Sequence, residues 1–382
     1  MRSFLCGRAY QLRLKGKIQN EKFIKGHAVD EIRKTINSIE EIGHSLAEKT
    51  QKRLDNLTKP QGSLGRLEEL AKQMVDITKN ENPPVRHKVI FTMAGDHGVV
   101  KEGVSAFPQE VTAQMVYNFL GRGAGINVLA EHTGARVVVV DMGVAEELKD
   151  ENTELKIKKI NFGTKNMAEG PAMTEEEAIR SIEAGIEVFE EELANGIDII
   201  GTGEMGIGNT TASSAIAAVI TGRPVEDVTG KGTGINDKAM AHKVEVIKKS
   251  IEVNKPVAED AIDVLQKTGG FEIGGLAGVI LAAASKRIPV VIDGFISGAA
   301  ALIAYQLEPK VKDYLIAAHC SVEQGHKIIL DYIGLKPLLD LDLRLGEGTG
   351  AALAMNIVEA SVKILTEMAT FQSASVCERI DK

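Results

Sequence analysis

The 382-residue sequence predicts an α/β fold: a parallel sheet flanked by helices, with a smaller helical lobe made from its two terminal segments. Three observations carry this. Short apolar runs recur along the chain, each closing on Gly, Asp or Glu. Each is followed by a helix-periodic stretch, so the connections can carry the chain back to a parallel neighbour. Residues 28–80 are charged at helical spacing, and the last stretch, from about Gly350 to Met368, has apolar helical periodicity.

Residues 1–20 carry Arg2, Arg8, Arg13, Lys15 and Lys17 ahead of the first acidic residue. A presequence and a plain basic extension share that composition, and we read residues 1–40 as an extension of unknown role. "VDEIRKTINSIEEI" and "LGRLEELAKQMVDITK" read as amphipathic helices on either side of the loop "KPQGSLG". The first strand is "VIFTMAGDHG", from Val89. "RVVVVDMG", "IDIIGTGE" and "IPVVIDGF" repeat its pattern, and "DYLIAAHCS" is a fifth candidate. A last helix from about Gly350 to Met368 is expected to pack with the N-terminal helices. The catalytic region is therefore 41–382: a small lobe of about 41–85 plus 350–382, and a large α/β lobe of about 86–349.

Composition narrows the function. A net charge of −8 with no Trp and five Tyr is unlike a nucleic-acid binder, which shows a basic face and stacking platforms. No apolar run approaches the ~20 residues of a membrane helix. Cys6, Cys320 and Cys377 are far apart, and no CxxC occurs, which fits a reducing cytoplasm.

Ligands of open parallel sheets sit beyond the carboxyl ends of the strands. That rule selects Asp96 with His97, Asp141, Glu204, Asp293, and His319 with Ser321. "GTGEMGIGNTT", Gly201–Thr211, matches the G-x-G-x-x-G loop of dinucleotide sites. Such a site also needs a second strand ending in an acid about 20 residues on, and none is readable there. Glu204 would moreover repel a pyrophosphate. A single phosphate held by the amides from Gly206 through Gly208, Asn209 and Thr210 removes the conflict, leaving Glu204 to face a ribose that gains positive charge. Lys231, in "TGKGTG", is the cation that composition suggests, and Lys243 lies two turns into the next helix. "LRLGEGTGAALAM" places Glu347 between glycines at a helix start, a candidate general base with a capping acid as its simpler reading. No HxH, HExxH or CxxC spacing supports a metal, and no cofactor is expected.

"KPQGSLGRLE", "AGDHGVVKEGVSAFPQEVT", "GTGEMGIGNTT", "EIGGLAG", "AAHCSVEQGH" and "RLGEGTGAALA" together resemble the nicotinate-nucleotide:dimethylbenzimidazole phosphoribosyltransferase family, from about Ile42 to about Met368. The resemblance implies a Rossmann-like sheet and a cytoplasmic homodimer. Its implied partners are nicotinate mononucleotide and an aromatic, benzimidazole-like base, and its product is α-ribazole 5′-phosphate. It implies Glu347 as catalytic base, Glu204 as the acid of the ribose–phosphate site, and Lys243, ahead of Lys231, as the phosphate lysine. Ser105, Gln109, Asp293, Ser321 and Leu345 match positions around the base pocket. Two other readings stay open: an NAD-dependent oxidoreductase, on the glycine loop alone, and a non-catalytic nucleotide-binding module.

Overall fold

The structure, a computed structural model, describes residues 29–149, 154–232 and 234–377. Most of the assigned extension thus lies outside the described residues. Six strands form one sheet: β1 (Lys88–Gly95), β2 (Ala135–Gly143), β3 (Lys156–Ile157), β4 (Ile199–Met205), β5 (Val290–Ile292) and β6 (Leu315–Ala317). Their order is β3-β2-β1-β4-β5-β6, and every neighbouring pair is parallel. Helices cover both faces, so β1 is buried along its whole length and reads as a mostly apolar run with no polar alternation. The chain winds outward from β1 to β3, then returns to β4 and winds the other way. The crevice of such a sheet opens where this reversal occurs, between β1 and β4.

The five expected strands are present, and β3 is an addition. It is a two-residue edge strand with Ile157 exposed and Lys156 paired to Glu191 and Glu192. So short and charged a segment has no alternation to read. β5 and β6 pair over three residues each, less than their apolar runs, because the flanking residues turn into the loops that hold Asp293 and His319.

"EIGGLAG" opens the helix Phe271–Ser285, which is apolar on every side and packs along the helix Glu175–Leu193. A Cβ on Gly185 would lie 1.9 Å from the Gly275 carbonyl oxygen, so the two backbones touch directly. The last helix, Thr349–Glu367, packs against the helices Arg66–Thr78 and Gly125–Thr133 and against β4. Its Leu365 joins Leu54, Leu57, Ala71 and Val75 in a small apolar cluster. Above that cluster the loop "KPQGSLG" is held by a buried ion pair, Lys59–Glu68 at 2.9 Å, with Glu68 also accepting the Leu64 N–H at 3.0 Å. Among the described residues no helix is long and apolar enough to cross a membrane.

Candidate active site

β4 delivers Glu204 to the crevice, and the chain then turns through Gly206, Ile207 and Gly208 into the helix Asn209–Thr221. The turn needs its glycines. A Cβ on Gly206 would lie 2.2 Å from the Gly95 carbonyl oxygen, and Gly208 has φ 95°, which side chains rarely adopt. The helix starts with no side-chain cap, so its first N–H groups and its dipole are directed at the turn. Thr112 steadies the turn from outside, its Oγ1 accepting the Ile207 N–H at 3.1 Å.

Lys243, on the helix Asp237–Asn254, reaches this turn from beneath. It is 1% exposed, and its Nζ donates to Thr210 Oγ1 at 2.7 Å and to the Gly230 carbonyl at 3.5 Å. Burial lowers its pKa to about 8, with the Glu323 carboxylate opposing. A buried ammonium that lacks a directly bonded carboxylate is disposed to take an anion. Lys231 instead points outward and pairs with Asp237 at 2.7 Å, both side chains exposed.

The two acids, Glu204 and Glu347, come together. Glu204 is buried and accepts from Asn209 Nδ2; a Cβ on Gly346 would lie 2.2 Å from Glu204 Oε1, so its carboxylate rests against the residue preceding Glu347. Burial, followed by the charges of Asp293 and Glu272, pushes Glu204 up to about 8; the Asn209 bond opposes this and Glu347 adds to it. Glu347 lies between Gly346 and Gly348, and the three residues have φ of 84°, 62° and 98°. Its Oε2 accepts the Ile126 N–H at 3.0 Å, at the start of the helix Gly125–Thr133, and its carbonyl accepts from Thr92 Oγ1 at 3.0 Å. Burial raises the Glu347 pKa against that Ile126 bond, and the charge of Asp293 raises it further.

Asp293 follows β5 and is 1% exposed. Its Oδ1 accepts the Ala351 N–H at 3.0 Å, and the N–H groups of Gly350 and Gly348 also bond to it. The side chain therefore anchors the start of the last helix. Leu345 is 60% exposed, and its Cδ2 lies against Gly125, beside the Glu347 carboxylate. Ser321 is buried, its Oγ accepting the Glu323 N–H at 3.3 Å, behind the Lys243 corner. Ser105 and Gln109 are half-buried on the segment leading into the helix Val111–Leu120, which carries Thr112. Phe107 between them is 51% exposed.

Thus Glu204, Glu347 and Asp293 lie close together with Leu345 beside Glu347, and Glu204 leads into the turn of Gly206, Gly208, Asn209 and Thr210 that Lys243 reaches. His97, by contrast, is committed inside the protein: its Nε2 bonds Glu272 Oε1 at 2.6 Å with both side chains fully buried. Asp96 accepts the Ala145 N–H at 2.8 Å. Among the described residues no three His, Cys, Asp or Glu side chains gather so as to hold a metal ion. From Gly222 to Asn236 the described residues form a short turn of helix, Val225–Val228, and loops, with no strand to carry a ribose-binding acid. Sequence reasoning missed Thr92 and Glu272. The signal for Thr92 is a single hydroxyl within "VIFTMAG"; Glu272 belongs to a quoted motif but has no local cue to its partner.

Comparison with known proteins shows which family the chain is similar to. A phosphoribosyltransferase family model matches residues 39–376. The nicotinate-nucleotide:dimethylbenzimidazole phosphoribosyltransferase of Geobacter sulfurreducens is 60% identical over 333 residues, covering 87% of this chain and 94% of that protein. The enzyme of the same name from Geotalea uraniireducens is 57% identical, covering 91% of this chain and 98% of its own. The crystal structure of CobT from Thermus thermophilus superposes with a TM-score of 0.83 at 43% identity, covering 87% of this chain and 99% of that one. The chain belongs to the nicotinate-nucleotide:dimethylbenzimidazole phosphoribosyltransferase family.

Proposed function

We propose that Glu347 is the general base, and Glu204 the ribose-facing acid, of a transfer of phosphoribosyl from nicotinate mononucleotide to 5,6-dimethylbenzimidazole. The products are α-ribazole 5′-phosphate and nicotinate. One observation carries the assignment of roles: two buried carboxylates share a crevice with an uncapped helix start and a buried lysine.

The pyridinium of the mononucleotide leaves without needing a proton. The incoming benzimidazole attacks C1′ through its bare ring nitrogen, becomes cationic, and must lose the N–H of its other nitrogen. Glu347, poised by burial toward accepting a proton and fixed by the Ile126 N–H, takes it. Attack opposite the departing ring turns a β-linked nucleotide into an α-linked one. Holding both rings in line supplies much of the rate. The phosphate occupies the turn Gly206–Thr210 over Lys243, and its charge restores the ammonium that burial disfavours.

Without a cationic neighbour Glu204 favours its protonated form at neutral pH, because burial raises its pKa to about 8. A pyridinium nearby favours the carboxylate, so the substrate's own charge ionises the acid that then stabilises the sugar's developing charge. Ser105, Gln109, Ser321 and Leu345 border the acceptor base, with Asp293 acting through the helix start it anchors. The reading also takes the protein as a cytoplasmic homodimer.

Glu347→Gln tests the base. Turnover is expected to fall ~10²–10⁴-fold while nicotinate mononucleotide still binds, measured by chromatography of the α-riboside and by calorimetry. Unchanged turnover would remove Glu347 from the mechanism.

A further inference from the structure

A general base is useful only if its oxygen arrives at the right place, and Glu347 is held in a conformation its side chain does not favour. Its φ of 62° lies in the left-handed region, between two glycines that share it. The sheet supplies what holds it. Thr92 on β1 pairs directly with Gly203 on β4. Gly203 leaves a gap in the face of the sheet: a Cβ there would lie 2.2 Å from the Glu347 carbonyl oxygen. That carbonyl drops into the gap and accepts the Thr92 hydroxyl at 3.0 Å. Thr92 is 0% exposed, so water cannot replace the bond. On the far side of Glu347, Asp293 takes the N–H groups of Gly348, Gly350 and Ala351.

We propose that Thr92 is a positioning residue for the reaction: from the strand-pair gap opposite Gly203 it fixes the backbone of Glu347 and hence the line along which the carboxylate meets the acceptor's N–H. Thr92 touches neither substrate, and its effect passes through Glu347. The inference rests on the reading of Glu347 as general base.

The test compares wild type, Thr92→Val, Thr92→Ser, Glu347→Gln and the double variant Thr92→Val/Glu347→Gln in steady-state assays, with thermal melts of each. Thr92→Val keeps the shape and removes the donor. Its kcat is expected to fall about 10-fold or more, since small misplacements of reacting groups are costly. KM for nicotinate mononucleotide should stay within about twofold, because the phosphate corner is untouched. Thr92→Ser restores the donor and should recover most of kcat. In the Glu347→Gln background Thr92→Val should cost nothing further. Wild-type kcat in Thr92→Val, or the same fold loss with and without Glu347, overturns the proposal while leaving the base in place. A fully active Glu347→Gln instead overturns the base reading itself. If valine at this position does not fold, Thr92→Ala is read against the same outcomes.

Discussion

Burial, followed by the charges of Asp293 and Glu272, holds the Glu204 pKa well above the usual carboxylate range. Its folded-state pKa of about 8 stands above the ordinary 4.5 of an unfolded chain. The native state therefore binds one more proton than the unfolded state between those values. The resulting stability is full below the unfolded value and is lost as pH rises through the folded one. Glu204→Gln removes that dependence. The variant should gain melting temperature relative to wild type as pH is raised from 5 to 9, by differential scanning calorimetry; a difference that stays flat over that range would refute the shifted acid. Glu204 and Glu347 stand out in the sequence because each follows a glycine at a strand end or helix start, Glu347 with a second glycine after it, though a capping acid has the same local pattern. The choice between Lys231 and Lys243 was not legible from composition, since burial, which separates them, is a property of the fold. The His97–Glu272 bond joins residues 175 positions apart, and nothing local announces it.

At the scale of elements, the glycines of "EIGGLAG" have a packing task. Gly185 faces the Gly275 carbonyl, and a Cβ on Gly278 would lie 2.0 Å from the Ile182 carbonyl oxygen, so the helices Glu175–Leu193 and Phe271–Ser285 approach through backbone alone. Neither helix can accept a methyl group there without moving. The second of them carries Glu272 to His97, and His97 packs under Gly206 and Gly208. Gly185→Ala should destabilise the protein by about 1–3 kcal/mol in urea unfolding, despite alanine's better helix propensity. A neutral or stabilising result would mean the helices are farther apart than described. The five main strands were readable because burial on both faces makes their apolar runs continuous, whereas β3 is too short to show any period.

For the molecule as a whole, one sheet with a single reversal of winding brings every element of the crevice to the same edge. Phe107, Tyr117 and Leu345 are exposed apolar side chains of the kind the proposed homodimer would cover. We expect sedimentation velocity to give the mass of two chains, and a single-chain mass at micromolar concentration would refute the homodimer. The parallel architecture was predictable from alternating strand and helix patterns; which faces stay open was not, because exposure depends on what lies beside them in space. The run of left-handed backbone at Gly346, Glu347 and Gly348 has an evolutionary side. A glycine in the middle would relax the chain and make a sturdier protein, yet one with no acid to offer. Selection for robustness and selection for catalysis therefore pull that single codon in opposite directions, and a lineage that stopped needing the product would be expected to lose its glutamate there early.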